Sequence, residues 1–438
     1  MQTPSSRASA PRALNRQDAR TLALAALGGA LEFYDFIIFV FFTAVIGQLF
    51  FPPSTPEWLR QLQAFGLFAA GYLARPLGGI VMAHFGDRTG RKRMFSLSVF
   101  LMAVPTLLIG LLPTYATAGY AAPLVLLLLR ILQGAAVGGE VPGAWVFVAE
   151  HVPERRVGFA CGTLTAGLTF GILLGSLVAT AINTIYSPEE VLAIGWRWPF
   201  LVGGVFGFFS VFLRRWLAET PVFEEMRQRK ALVQELPLKV VLRGHGTAVA
   251  VSMLVTWVLT AAIVVVVLMT PTLMQKIHGI PPAQALRANS LATVSLTLGC
   301  VGFGLATDRF GVGWMLGVGS LLLLGATYLL YLGVGRAPEH LAALYAVTGA
   351  CVGVVGVVPT VMVRAFPAEV RFSGLSFSYN VAYALFGGLT PLVVTLLVKN
   401  TPLAPAHYVA ALCGVGLAVA IYLLTAGRSR FAGTNSLG

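Results

Sequence analysis

The sequence predicts an all-α membrane protein of twelve transmembrane helices, arranged as two pseudo-symmetric six-helix bundles. Three observations predict it. Apolar residues make up 57% of the 438-residue chain and charged residues only 11%, against about 25% charged in a soluble domain. Gly, Pro and charge clusters cut the chain into twelve apolar segments, each long enough to cross about 30 Å of hydrocarbon. A short charged pattern recurs at matching places in the two halves, the mark of an internal structural repeat.

The first span, 21–50, follows a polar and basic stretch and is too long for a signal-peptide core, so it reads as a retained helix. The next five are expected at 61–86, 94–113, 122–150, 157–186 and 197–217, completing a first bundle over 21–217. Residues 214–246 then carry seven basic and four acidic residues. A cytoplasmic linker over 218–246 is expected there, with a lipid-sensing surface helix between Thr220 and Gln234 as the alternative. The second bundle, 247–427, has spans at 247–272, 286–307, 313–334, 340–364, 371–399 and 405–427. Tails at 1–20 and 428–438 complete the chain.

The net charge of +13 does not mark a nucleic-acid partner. On this segmentation 22 of the 30 Lys and Arg fall on one side, 6 on the other and 2 inside the membrane. Basic residues held inside during insertion account for that imbalance and place both termini in the cytoplasm. A bacterial inner membrane is the expected location. Cys161, Cys300, Cys351 and Cys413 lie far apart with no CxxC spacing, so neither disulfides nor a thiolate metal site is expected.

The recurring pattern is Asp-Arg-x-Gly: Asp87, Arg88 and Gly90 after the second span, Asp308, Arg309 and Gly311 after the eighth. Asp87 suits the positive N-terminus of a neighbouring helix, and Glu150, at the end of span four, suits Arg91. Asp87, Arg88, Arg91, Glu150, Asp308 and Arg309 therefore form a candidate cytoplasmic gate, with a plain positive-inside anchor as the alternative.

Five ionisable residues fall inside spans: Glu32, Asp35, Arg75, Arg130 and Glu140. Each costs about 2.5–3.5 kcal/mol to insert at a helix centre, so they should face the bundle interior. Glu32 and Asp35, three residues apart on one helical face with Phe36 and Phe39, cannot both ionise cheaply and suit a proton carrier. Arg130 has the planar fork to hold a carboxylate or a substrate anion, and Arg75 lies on a stripe with Phe68, Gly71 and Tyr72. In the second half Tyr379, Asn380 and Tyr383 share a face and are candidate substrate ligands. Trp257, Thr260, Ser290, Thr293, Ser295 and Ser376 are the other deep polar groups. Internal salt bridges and helix–helix hydrogen bonds are the structural alternatives throughout.

"GDRTGRK", "RILQGAAVGGE", "EFYDF", "GYLARPLGG", "ETPVF" and "SYNVAYALFGGLTP" together resemble the major facilitator superfamily, and within it the metabolite:H+ symporter family. The resemblance covers nearly the whole chain. It implies the twelve-helix major facilitator fold with a central cavity and proton-coupled uptake of carboxylates, shikimate, proline or betaines. The chain departs from the family at Ala83, where a glycine is usual, and at Arg364, where an acid is usual. Thr163 and Thr165 replace polar amides in span five, and span seven lacks a common tyrosine.

A negative-inside potential opposes anion entry by about 2.3 kcal/mol per charge per 100 mV, which accompanying protons cancel. The expectation is a proton-coupled symporter importing a small organic metabolite, a carboxylate, by alternating access. The alternatives are an exporter of the same fold or uptake of a zwitterionic osmolyte such as proline or betaine. A membrane enzyme would need clustered catalytic or metal-ligating side chains, which the sequence lacks. No cofactor is expected beyond H+ as coupling ion, and the expected partners are a small-molecule substrate, protons and the bilayer, with the chain a monomer.

Overall fold

The computed structural model describes residues 13–214, 216, 219–228 and 237–427. Among these no strand occurs, and eleven helices are long and apolar enough to cross a membrane. A twelfth crossing is a bent pair, Pro188–Gly195 and Arg197–Phe212, meeting at 43°.

The first half comprises α1 (Arg16–Phe41), α2 (Glu57–Thr89), α3 (Arg91–Leu111), α4 (Ala121–His151), α5 (Val157–Ile185) and α6 (Arg197–Arg214). The second comprises α7 (Gly246–Ala261, continued by Ala262–Met269 and Thr270–His278), α8 (Pro282–Phe310) and α9 (Val312–Arg336). It is completed by α10 (Leu341–Val352 to Val358–Ala365), α11 (Arg371–Ala382 to Gly388–Val398) and α12 (Ala404–Leu424). Between the halves, the helix Pro221–Gln228 falls inside the stretch where a surface helix was an alternative, while 229–236 and the tail 428–438 lie outside the described residues.

Local chemistry explains several boundaries. Asn15 caps α1 by accepting from the Asp18 N–H at 2.8 Å, while Asp18 accepts from the Asn15 N–H at 3.0 Å. That reciprocal cap starts the helix at Arg16, earlier than hydropathy alone suggests. The first span breaks at Phe42, where the Thr43 hydroxyl lies on the Phe39 and Val40 carbonyls, and resumes as Thr43–Phe50. A single residue joins α2 to α3 and α8 to α9. These are Gly90 at φ 118° and Gly311 at φ 91°, conformations that a Cβ disfavours.

α7, α10 and α11 are not plain α-helices. α7 passes through a π-helical stretch at Ala262–Met269 and α11 through another at Tyr383–Gly387. α10 narrows to a 3₁₀ turn at Gly353–Gly356. Where the two halves meet, α5 packs on α8 and α2 on α11, with the Thr169 and Thr297 hydroxyls 3.1 Å apart. Within the first half α2 and α4 approach backbone to backbone, because Gly71 faces Gly134 and Gly78 faces Ala135. Lacking a hydrophobic drive between helices in lipid, such small-residue contacts supply dispersion energy instead. They also carry Arg75 and Arg130 to adjacent positions.

Candidate functional site

Two guanidinium groups occupy the middle of the molecule, and both are fully buried. Arg75 Cζ lies 4.5 Å from the ring centre of Tyr383, 5.3 Å from Tyr379, 5.4 Å from Tyr72 and 6.0 Å from Phe36. Arg130 Cζ lies 4.2 Å from Phe39, 5.0 Å from Phe36 and 5.6 Å from Phe68. Tyr72 of α2 and Tyr383 of α11 stack nearly parallel, 8° between planes and 5.5 Å between centres. The cage thus takes walls from both halves. On each arginine the same edge, Nε and Nη2, has no hydrogen-bond acceptor among the described residues. That edge grips a carboxylate through two parallel N–H bonds.

The remaining Arg130 donor is engaged. Its Nη1 donates to Gln133 Oε1 at 2.7 Å, and Gln133 Nε2 donates to Thr106 Oγ1 at 2.7 Å. The Thr106 hydroxyl in turn donates to the Met102 carbonyl at 2.9 Å. Of the two roles read for Arg130, holding a carboxylate of the acidic pair or a substrate anion, the first is not seen among the described residues, where its Nη1 meets the Gln133 amide.

The two carboxylates divide. Glu32 Oε1 accepts from the Ser210 hydroxyl of α6 at 2.6 Å. Asp35 is 0% exposed, and neither carboxyl oxygen has a hydrogen-bond partner among the described residues. Gly203 and Gly207 of α6 make room for it: a methyl on Gly203 would stand 2.5 Å from Oδ1, and one on Gly207 3.1 Å from Oδ2. Both acids therefore face the α1–α6 seam, while Phe36 and Phe39 of the same helix face the arginines.

Among the second-half candidates, Tyr379 and Tyr383 join the cage and Asn380 does not. Its Nδ2 donates across the halves to the Gly138 carbonyl of α4 at 2.7 Å, beneath Arg75 on the side of the Asp-Arg-x-Gly turns. Thr260, Ser290 and Thr293 are spent on carbonyls of their own helices. Trp257 donates to the Tyr408 hydroxyl at 3.2 Å.

That basic side is closed by paired contacts. Asp87 Oδ2 accepts from the Ser373 N–H at 2.9 Å, at the N-terminus of α11. Asp308 accepts from the Gly158 N–H at 2.7 Å and the Phe159 N–H at 3.1 Å, at the N-terminus of α5. Each turn thus holds a helix of the opposite half, as the positive end of a helix favours. Glu150 accepts from Arg371 Nη1 at 3.1 Å and from the Thr220 hydroxyl at 2.7 Å. The Arg91 side chain, its expected partner, lies outside the described residues. Arg88 sits exposed with Nη1 3.5 Å from His84 Nε2. Arg309, also exposed, covers the Phe310 ring at 5.3 Å.

The family model described as Major Facilitator Superfamily matches residues 25–391. The chain is 31% identical to the glycine betaine/proline/ectoine/pipecolic acid transporter OusA of Dickeya dadantii, over 92% of this chain and 83% of that protein. It is 32% identical to the proline/betaine transporter of Salmonella typhimurium, over 92% and 82% respectively. Among solved structures it resembles the proton:xylose symporter XylE, with TM-score 0.77 and 18% identity over 93% of this chain and 95% of that one.

Proposed function

Since the chain belongs to the major facilitator superfamily, we propose that it is a proton-coupled symporter taking up a small zwitterionic osmolyte of the betaine or proline type. One observation carries the reading: both buried arginines leave the Nε/Nη2 edge without an acceptor, inside a cage of aromatic faces. A zwitterion matches both features. Its carboxylate takes the N–H pair, and its ammonium or quaternary nitrogen takes the tyrosine faces, as cations do on ring quadrupoles. The relatives named as proline and betaine transporters support this substrate over the carboxylate expected from the sequence, which has no use for a cation-binding wall.

Asp35 is the proposed proton carrier, because an unpaired carboxylate in the membrane interior is far costlier than the neutral acid. Glu32, held by Ser210, is its proposed companion. Arg75, Arg130, Tyr379 and Tyr383 are the proposed substrate ligands, with Tyr72 added. The basic face, where Asp87, Arg88, Asp308, Arg309 and Glu150 lie, is the proposed cytoplasmic face of a bacterial inner membrane. A zwitterion entering with one H+ moves one positive charge inward, a gain of about 2.3 kcal/mol per 100 mV.

The test is accumulation of labelled glycine betaine and L-proline in proteoliposomes under an inward proton gradient, with shikimate and 2-oxoglutarate beside them. Gradient-driven accumulation of the zwitterions, collapsed by a protonophore, is the expected result. Accumulation of the plain carboxylates alone, or flux that expels substrate against the acid side, overturns it.

A further inference from the structure

Thr106 stands between the proton site and the substrate site. We propose that its side chain is the two-position element that passes the protonation state of Asp35 to Arg130 through Gln133. The proposal rests on Asp35 being the coupling carboxyl, as argued above.

Arg130, Gln133, Thr106 and Asp35 are all completely buried, on three different helices. The Thr106 hydroxyl now serves Gln133 and the Met102 carbonyl. Its methyl points the other way: the position of a methyl on Gly203 lies 3.0 Å from Thr106 Cγ2 and 2.5 Å from Asp35 Oδ1. A one-third turn about the Cα–Cβ bond, between staggered wells, carries the hydroxyl to the place the methyl now holds and the methyl to that of the Cβ hydrogen. The hydroxyl then reaches the side of Asp35, and Gln133 Nε2 loses its acceptor.

The two positions answer to the two forms of Asp35. A carboxylate needs a donor in a site that offers none now, and a hydrogen bond to a charged oxygen is worth roughly twice a neutral one. A neutral acid makes no such demand, and the hydroxyl returns to Gln133. With its amide released, Gln133 no longer fixes Arg130 Nη1, so the grip on a carboxylate loosens when the proton leaves. Loss of the proton and release of substrate toward the cytoplasm become one event.

Few other groups can substitute for Thr106. On its own helix Asp35 neighbours Glu32, already bonded by Ser210, and Tyr34, whose hydroxyl donates to the Pro199 carbonyl at 2.9 Å. α3 presents Ala103 with Thr106, and α6 presents Gly203 and Gly207. α5 packs on α1 through Leu168, Gly171 and Gly175, all uncharged. Arg130 on α4 is held by Gln133, and Arg75 on α2 lies beyond Phe36.

Thr106→Val keeps the volume and removes the hydroxyl, and Thr106→Ser keeps the hydroxyl. In proteoliposomes, labelled glycine betaine is followed both as counterflow at equal pH and as accumulation driven by a pH gradient. In Thr106→Val, where Gln133 is released at every pH, accumulation should fall by roughly tenfold and its pH profile flatten, the loss expected for one hydrogen bond to a charged group. Counterflow should persist with a raised KM that no longer varies with pH. Thr106→Ser should restore the profile. A wild-type profile in Thr106→Val beside a collapsed one in Asp35→Asn overturns the relay alone, and so does failure of Thr106→Ser to rescue. Wild-type accumulation in Asp35→Asn overturns the coupling reading beneath it.

Discussion

Charges in apolar helices are the most legible residues in this sequence. Glu32, Asp35, Arg75 and Arg130 stand out because no bilayer tolerates them facing lipid, and all four are buried in the structure. Which groups they meet was not legible. Gln133, Thr106 and Ser210 look like ordinary helix-packing residues in sequence, since a lone hydroxyl or amide in a span usually bonds its own backbone. Here Gln133 bonds Arg130, Ser210 bonds Glu32, and Thr106 bonds Gln133. Asn380 shows a related limit: sharing a face with Tyr379 and Tyr383 does not decide which helix its amide meets, here the Gly138 carbonyl of α4. The distinction is measurable. Arg75→Lys removes the planar fork and should raise KM for glycine betaine by roughly 10–100-fold. Asn380→Ala, which touches the opposite half and not the cage, should change KM by less than about threefold. Equal effects of the two would return Asn380 to the substrate site.

At the scale of the element, hydropathy located the crossings but said nothing of their internal geometry. The run "AAIVVVVLM" of α7 reads as featureless, yet it winds as a π-helix from Ala262 to Met269. Such a turn leaves carbonyls without their usual donors, and side chains from elsewhere satisfy them. The Thr270 hydroxyl donates to the Val265 carbonyl at 2.9 Å and lies 3.0 Å from the Tyr331 hydroxyl. The Tyr345 hydroxyl sits between the Val266 carbonyl and Asn289 Oδ1, the latter at 2.6 Å. Only the fold brings α8, α9 and α10 to this turn, so no local pattern announces it. Tyr345→Phe removes the one O–H proton that a carbonyl and an amide oxygen share in a buried site, a cost of about 1–3 kcal/mol. A lower thermal midpoint of the purified protein in detergent is expected. An unchanged midpoint would mean that the wide turn holds without this hydroxyl.

For the whole molecule, the repeated Asp-Arg-x-Gly was the clearest signal of two related halves, and its physical role appears only when they are docked. Asp87 reaches the N-terminus of α11 and Asp308 that of α5, two contacts related by the pseudo-symmetry of the fold. The symmetry is incomplete. Glu150 ends α4 and binds Arg371, whereas the matching position at the end of α10 is Arg364, opposite in sign. One latch therefore carries an ion pair between the halves that its counterpart cannot copy, and the two should not yield equally. Glu150 is buried and its removal strands Arg371, so breaking this pair costs more than losing an exposed one. Spin labels on the cytoplasmic ends of α4 and α11 read the consequence as a distance distribution. Glu150→Gln should shift it toward the open, longer distances by roughly 5–30-fold in population, the effect of 1–2 kcal/mol. Arg364→Gln, which removes no such inter-half pair, should shift it less. If the order were reversed, the second-half latch would be the dominant lock, and the sign change at Arg364 would be what strengthens it.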